Sequence, residues 1–257
     1  MSVLEQIIVG VREDLEARRI PRNQLLDQLA QAPSPRMASA FLRAKEISVI
    51  AEVKRSSPSK GALATISDPA ALASIYQVNG ASVVSVLTEG RRFGGSLADL
   101  DAVRKSVTIP ILRKDFMVDE YQFLEARAHG ADLVLLIVAA LSKAQLNEFL
   151  VLTAELGMQA LVEVHTEDEL EMALDAAAQI IGVNARNLKT LAVDSGVFAE
   201  LLPKIPDRIV KVAESGISAR ADVEYARFHG ADAVLVGEAL VRGNDPGATL
   251  RALMGQR

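Results

Sequence analysis

The chain has 257 residues, 50% of them hydrophobic, and a formal net charge of −5. The interspersed charges argue against nucleic acid or an anionic membrane as the main partner, and the absence of cysteine excludes disulfides and sulfur-based zinc sites. The first ten residues lack a signal-peptide pattern, and no apolar run approaches the roughly 20 residues of a membrane helix, so a cytoplasmic protein is expected.

Residues 1–48 are expected to form a helical extension that packs on the main fold. Leu4, Ile7, Val11 and Leu15 recur at helical spacing, which predicts a helix over residues 2–18. Two prolines within residues 31–36 predict a loop there.

From residue 49 onward, short apolar segments alternate with segments of helical spacing. The predicted strands are 49–55, 82–88, 109–115, 132–138, 159–164, 180–186, 208–214 and 233–236. The predicted helices between them are 69–78, 97–105, 120–128, 143–156, 168–177 and 220–228. Strands that are apolar on both faces and alternate with helices predict a buried parallel sheet.

One pattern recurs at the joints between predicted helices and strands. His129–Asp132 and His229–Asp232 share the sequence HGAD, and Asn79–Ser82 is a weaker copy. A repeated glycine cap before a strand is typical of a βα repeat, so we predict a single-domain (β/α)8 barrel over 49–257, of the TIM-barrel class. A doubly wound sheet is the alternative, but the chain lacks its G-x-G-x-x-G turn.

Polar residues interrupt the carboxyl ends of five predicted strands. Residues two apart on a strand share a face, and barrels of this kind carry catalysis at these ends. The inward-facing candidates are Glu52, Lys54, Lys114, Glu163, Asn184, Arg186 and Glu214. Any one of them fits a structural ion pair, but the set is too organised for a solvated rim. Lys211 has the opposite phase and is expected to be structural, and Arg113 and Asp115 are expected to face outward.

Two glycines near the last strands indicate a phosphate site. Gly216 and Gly237 lie where this fold cradles phosphate, close to the cationic Lys54 and Arg186. The basic, glycine-rich loop 89–96 is expected to fold over an anionic ligand, or else to be a plain exposed loop. The histidines do not suggest a metal: two are expected at helix ends, and His165 stands alone after the fifth strand.

The segment Val49–Ser59, VIAEVKRSSPS, resembles the signature of the indole-3-glycerol phosphate synthase family. Further segments support the resemblance along nearly the whole chain: Leu112–Phe116, Leu161–His165, Gly182–Leu188, Ala213–Ile217 and Val236–Leu240. The resemblance implies a step of tryptophan biosynthesis that needs no metal or organic cofactor. In it, 1-(2-carboxyphenylamino)-1-deoxyribulose 5-phosphate closes its ring and loses carbon dioxide and water.

The resemblance also implies roles for the charged residues. Lys114 would protonate the ketone oxygen, and Lys54 would hold the substrate carboxylate or phosphate or assist at the same oxygens. Glu163 would act as general base or acid, and Glu52 would orient the lysines. Asn184 and Glu214 would position the sugar hydroxyls.

The remaining implied contacts concern binding. Polar substrate groups would contact Ser57, Arg186 and Ser215, and the aryl ring would occupy a slot made by Leu87, Phe93, Phe116 and Leu135. Backbone N–H groups of Gly216, Gly237 and Glu238 would bind the phosphate. Some family members have serine or threonine where this chain has Glu238, so its side chain is expected to turn away from the phosphate.

Three other functions fit parts of this pattern. They are a Schiff-base aldolase with Lys114 or Lys54 as nucleophile, an isomerase of a phosphorylated aminosugar, and a non-catalytic sugar-phosphate binder. In each case the expected partner is a small phosphorylated molecule, with no nucleic acid or membrane partner. A monomer or weak homo-oligomer is expected.

Overall fold

A closed barrel of eight parallel strands forms the centre of the computed structural model, which describes residues 2–43, 47–188 and 190–256. The strands are β1 (Ser48–Val53), β2 (Val83–Leu87), β3 (Ile111–Lys114), β4 (Leu133–Ile137), β5 (Gln159–Val164), β6 (Ile180–Asn184), β7 (Val210–Glu214) and β8 (Ala233–Val236). They follow chain order around the barrel, and β1 closes it by pairing with both β2 and β8. The predicted (β/α)8 fold is therefore confirmed.

Three helices precede the barrel: α1 (Val3–Arg18), α2 (Arg22–Gln31) and α3 (Ala38–Leu42). The first confirms the predicted helix and begins with a capping box in which Ser2 and Glu5 exchange hydrogen bonds. The other two were not predicted, because α2 has no side-chain cap and a single buried residue, and α3 is only five residues long. Residues 44–46 of the predicted extension lie outside the described residues.

The other helices follow the strands and surround the barrel. They are α4 (Pro69–Val78), α5 (Leu97–Ser106), α6 (Glu120–Ala128), α7 (Lys143–Glu155), α8 (Glu167–Asp175), α9 (Gly196–Leu201), α10 (Arg220–Phe228), α11 (Glu238–Arg242) and α12 (Pro246–Leu253). A short hairpin, Ser56–Ser57 with Gly61–Ala62, follows β1 and was not predicted.

The repeated joint has a physical explanation in the structure. The three glycines Gly80, Gly130 and Gly230 have φ of 97°, 78° and 98°, a left-handed conformation that glycine adopts without steric cost. The aspartate after two of these joints accepts a hydrogen bond from a neighbouring strand: Asp132 from the backbone N–H of Ile111, and Asp232 from that of Lys211. The motif therefore fixes both the helix end and the strand register.

The two ends of the barrel are covered by the preceding helices. Inward-facing strand residues form one apolar cluster with Ile7 and Val11 of α1 and with Ala38 and Leu42 of α3. The helix α3 lies at the amino ends of the strands, because Ser48 at the start of β1 donates to the carbonyl of Phe41. The barrel interior is thus a packed core rather than a pore.

Ion pairs hold the carboxyl end of α1 to the barrel. Arg18 donates two hydrogen bonds to the Glu125 carboxylate, at 2.9 and 3.0 Å, and Glu125 also contacts Arg113 at 2.9 Å. Arg113 is fully buried and lies 2.9 Å from Asp115. These two residues have the outward phase expected for them, and their network joins β3, α6 and α1.

A substitution at the amino end of the barrel tests the packing of α3. Replacing buried Leu42 by alanine removes apolar contacts and leaves a cavity, so the free energy of unfolding should fall by about 2–5 kcal/mol. The matched control is Met37→Ala, since Met37 is 62% exposed, and its effect should stay within about 0.5 kcal/mol. Urea unfolding measures both, and equal losses would contradict the described packing.

Candidate active site

A single lysine lies at the centre of the polar groups in the barrel mouth. Lys114, at the end of β3, places Nζ 2.8 Å from Oε2 of Glu214 and 3.5 Å from Oε2 of Glu163. Burial disfavours its charge, but Glu214, Glu163 and Glu52 outweigh burial and raise the pKa of Lys114 above its ordinary range. Lys114 is therefore an ammonium group aimed between carboxylates from three other strands.

A second lysine–carboxylate pair comes from β1 and the residue after it. Lys54 Nζ lies 2.7 Å from Oε1 of Glu52, and the other carboxylate oxygen accepts from the Ser85 hydroxyl at 3.3 Å. Burial alone would raise the pKa of Glu52, but Lys54 and Lys114 lower it below the usual value. Glu52 is thus an ionised group that shares a face with Lys54, as the strand periodicity predicts.

The carboxylates of Glu163 and Glu214 have opposite electrostatic environments. Burial raises the pKa of Glu214 to about 7, although Lys114 opposes the shift. The pKa of Glu163 is lowered despite its burial, because Lys114 and His165 stabilise its charge. Oε1 of Glu214 is buried and has no hydrogen-bond partner among residues 2–43, 47–188 and 190–256. It lies against Gly182 and faces the barrel interior.

Two glycines leave space for the carboxylates of Glu214 and Glu52. A Cβ atom on Gly182 would lie 2.1 Å from Oε1 of Glu214, and one on Gly237 would lie 2.6 Å from Oε1 of Glu52. The sequence suggested Gly237 as a place of close approach to a ligand. The structure adds a second reason for glycine there, since a side chain would displace a buried carboxylate.

His165 was wrongly expected to stand alone after the fifth strand. Its Nε2 lies 3.3 Å from Oε1 of Glu163, and its Nδ1 lies 3.0 Å from Oε2 of Glu169. The signal was present in the sequence, because residues 163 and 165 share a strand face and Glu169 follows four residues later. By contrast, His129 and His229 are helix-capping residues, as expected.

The next strand end contributes Asn184 and Arg186. Oδ1 of Asn184 accepts from the backbone N–H of Arg186 at 2.9 Å, which fixes the turn after β6. The guanidinium of Arg186 donates to the Ser59 hydroxyl at 3.2 Å and to the Leu191 carbonyl at 3.1 Å. The hydroxyls of Ser57 and Ser59 are 3.5 Å apart. These contacts connect the loops after β1 and β6.

A cavity of about 830 Å³ opens beside this group, on the side of the last strands. Lys54 and Arg186 line it, together with Ser215, Gly216 and Gly237. Ser215 has a φ of 67°, a strained conformation for a residue with a side chain, and Gly216 follows with a φ of 76°. The turn thereby places two successive residues of the β7–α10 loop on the cavity wall.

Glu238 also lines this cavity, but its carboxylate pairs with Arg242 at 3.0 Å. The two residues lie one turn apart on α11, so the ion pair is local to that helix. The carboxylate charge next to the cavity is thus balanced by a cation.

The four residues expected to make an apolar slot come together around a second cavity. Leu87, Phe93, Phe116 and Leu135 line about 120 Å³ of space that Lys114, Glu163 and Glu214 also border. The rings of Phe93 and Phe116 are 6.1 Å apart. An aromatic group in this slot would lie directly against the catalytic candidates.

The helix α1 contributes to the same region, which the sequence did not indicate. Val3, Leu4 and Ile7 line an adjoining cavity of about 90 Å³ together with Phe93, Phe116, Ser57 and Leu188. The loop 89–96, for which a cover over an anionic ligand stays a prediction, brings Phe93 to this cavity and sends Arg91 to α1, where Arg91 lies 2.8 Å from Glu13 and 2.6 Å from Asp14. Its charge serves to hold α1.

Two further properties concern metals and membranes. Within the described ranges, no group of three or more histidine, aspartate or glutamate side chains is arranged as a metal site. No helix in that part of the chain is long and apolar enough to cross a bilayer.

The raised pKa of Glu214 makes stability depend on pH. An unfolded glutamate ionises near pH 4.3, whereas folded Glu214 keeps its proton to about pH 7. Its stabilising contribution is present below about pH 4.3 and is lost as pH rises through 7. The glutamine in Glu214→Gln cannot ionise, so this variant does not lose that contribution. The difference in free energy of unfolding between the variant and the unmodified chain should therefore shift in favour of the variant by about 3 kcal/mol as pH rises from about 4.3 to above 7.

Urea unfolding at about pH 4 and pH 8 measures this change. The matched control is Glu171→Gln, because Glu171 is exposed on α8 and its substitution should change the free energy of unfolding by no more than about 0.5 kcal/mol. A pH-independent difference for Glu214→Gln would contradict the raised pKa.

Comparison with solved structures shows the same barrel fold in other proteins. Solved structures of 3-hexulose-6-phosphate synthase, including one from Salmonella typhimurium, superpose with TM-scores of 0.65 and 0.66 and cover 81% of this chain and 99% and 97% of theirs. Their sequences are only 16% and 15% identical to this chain, so they show the shared barrel fold alone.

Much higher similarity comes from proteins named indole-3-glycerol phosphate synthase. The one from Micrococcus luteus is 60% identical over 259 residues, covering 98% of this chain and 97% of its own length. The one from Streptomyces coelicolor, indole-3-glycerol phosphate synthase 1, is 59% identical over 248 residues, covering 96% and 92%. The sequence model of the family indole-3-glycerol phosphate synthase matches residues 4–253. The chain belongs to the indole-3-glycerol phosphate synthase family.

Proposed function

We propose that this protein converts 1-(2-carboxyphenylamino)-1-deoxyribulose 5-phosphate to indole-3-glycerol phosphate, carbon dioxide and water. The observation that carries the proposal is the buried Lys114 ammonium, held charged by three carboxylates beside an apolar slot. Family membership supports the same reaction. It is the carboxy-lyase step of tryptophan biosynthesis, on a small phosphorylated substrate.

The two cavities fit the two ends of this substrate. The slot lined by Leu87, Phe93, Phe116 and Leu135 suits the aryl ring. The larger cavity suits the polyol phosphate, because Lys54 and Arg186 supply positive charge there and Gly216 and Gly237 bring backbone N–H groups to its wall. Because the Glu238 carboxylate pairs with Arg242, Glu238 contributes to phosphate binding through its backbone N–H group.

Ring closure needs a proton at the ketone oxygen. The aryl carbon that bears the carboxylate attacks the ketone carbon, and Lys114 gives its proton to the oxygen as the carbon–carbon bond forms. Lys54, which also borders the slot, holds the substrate carboxylate before it leaves as carbon dioxide. The electron pair of the broken bond restores the aromatic ring, while Glu52 orients Lys54 and helps to keep Lys114 charged.

Dehydration needs an acid and a base on opposite sides of the new ring. A lysine ammonium protonates the hydroxyl, which leaves as water, while Glu163 takes a proton from the adjacent methylene carbon. The lowered pKa of Glu163 means that it is ionised and ready to accept this proton. Asn184 and Glu214, which both line the slot, hold the sugar hydroxyls, with Ser57 and Ser215 on other polar groups. Overall the reaction takes up one proton from solvent.

The electrostatics oppose a Schiff-base aldolase. A nucleophilic lysine needs a lowered pKa, whereas the carboxylates raise that of Lys114. An isomerase of a phosphorylated aminosugar would have no use for the apolar slot. We further propose a cytoplasmic protein that works as a monomer or weak homo-oligomer, without nucleic acid, membrane, metal or organic cofactor.

An indole fluorescence assay tests the reaction. The chain has no tryptophan and three tyrosines, so a new indole group is detected against a low background. Purified protein mixed with the carboxyphenylamino substrate and excess EDTA should show rising indole emission. Lys114→Met should lower kcat at least 100-fold, because it removes the proton donor.

The matched control is Lys143→Met, which removes an exposed lysine that pairs with Asp175 on the outside of the barrel. Its kcat should equal that of the unmodified protein. No emission from folded protein that binds the substrate would contradict the proposed reaction, and emission that requires metal would contradict the metal-free mechanism. Borohydride trapping of a lysine adduct would favour the aldolase.

A further inference from the structure

His165 is fixed in place by the first turn of the following helix. It comes directly after β5, and Oε2 of Glu169 accepts both from its backbone N–H at 2.7 Å and from its ring Nδ1 at 3.0 Å. Because Glu169 is a carboxylate acceptor, Nδ1 carries a hydrogen. The orientation of the ring is thereby set, and it directs Nε2 towards Glu163.

Glu163 consequently lies between two cation candidates. Its Oε2 lies 3.5 Å from Lys114 Nζ, and its Oε1 lies 3.3 Å from His165 Nε2. Nε2 of His165 is within ion-pair distance of Glu163, but it has no aligned hydrogen-bond partner among the described residues. The side chains of Glu163 and His165 are only 3% and 10% exposed, so solvent screens their interaction weakly.

We propose that His165 is a positioning residue, whose positively charged ring holds Glu163 ionised and directs its carboxylate towards Lys114 and the substrate. The inference rests on the proposed function and deepens it, since Glu163 is the base of the dehydration step. His165 itself does not contact the reacting atoms.

The charges around the pair favour a protonated ring. Burial disfavours the charge on His165, but Glu163 and Glu169 outweigh burial and raise its pKa to about 10. From the barrel side, Lys114 and Glu214 are the charged groups that face Glu163, with neutral Asn184 beside it.

The elements packed on the outer side add few charges. The 3₁₀ turn Val138–Ala140, which also packs on β5 and α8, has no titratable side chain. In the first turn of α8, Glu167 is paired with Lys204 at 2.7 Å, and the exposed Asp168 adds a negative charge, which also favours the imidazolium.

The activity test compares pH profiles. Without the His165 charge the pKa of Glu163 should rise, so the acid limb of kcat should move to higher pH by at least one unit. We expect this shift in His165→Leu and in His165→Gln, which keeps a hydrogen-bond donor but not the charge. At neutral pH Glu163 stays ionised in these variants, but its carboxylate is no longer directed by His165, so kcat should fall about tenfold while KM changes less.

The matched control is His129→Gln, which breaks another imidazole–carboxylate pair, Nδ1 to Asp101 at 2.8 Å, at a helix end away from the barrel mouth. Its profile should coincide with that of the unmodified protein. A His165→Gln profile with an unmoved acid limb would overturn the proposal, even if the rate fell, because a purely structural role lowers the rate at every pH alike.

A second measurement needs no substrate. The chain has three histidines, so ring resonances in NMR spectra can be assigned by comparison with His165→Gln. The His165 ring should stay protonated beyond pH 8, against an ordinary pKa near 6.5, and Glu163→Gln should lower its pKa by at least one unit. If the His165 ring of the unmodified protein titrates near its ordinary pKa of about 6.5, the proposed ion pair between His165 and Glu163 is wrong.

The two measurements separate the inference from the proposed function. If the unmodified protein forms no indole product, the positioning role in ring chemistry fails with the proposed function. The NMR titration still measures whether His165 is charged and whether Glu163 stabilises that charge. If His165→Leu does not fold, His165→Gln and the NMR titration provide the same decision.

Discussion

The active site depends on one physical constraint: a lysine ammonium is buried in the barrel mouth and must be balanced by carboxylates. Lys114 would be costly to bury alone, and it is stable because Glu52, Glu163 and Glu214 approach it from three other strands. These carboxylates need cations in turn, which Lys54 and His165 supply. The opposite charges of the group thus largely balance one another, which permits these side chains to be buried.

The closed barrel makes this arrangement possible. Parallel strands end at one face, so side chains far apart in sequence meet with fixed spacing. Gly182 and Gly237 leave room for Glu214 and Glu52, which a Cβ atom at either position would displace. The same face carries the apolar slot, so a proton donor and a hydrophobic ring site lie side by side.

Strand periodicity was sufficient to predict the fold and the inward phase of the charged residues, because alternation along a strand is a local property. It could not predict that Val3 and Leu4 reach the mouth or that Arg91 binds α1, since those contacts join distant parts of the chain. Some local signals were present but unused. Asp245 and Pro246 start α12 as Asp68 and Pro69 start α4.

The most direct test is the pKa of the Lys114 side chain, measured by NMR titration of protein with isotope-labelled lysine and assigned with Lys114→Met. A lysine balanced by three carboxylates should remain an ammonium group beyond its ordinary pKa of about 10.4. A Lys114 that is neutral near pH 7 to 8 would contradict the account, because it would be a nucleophile rather than an acid.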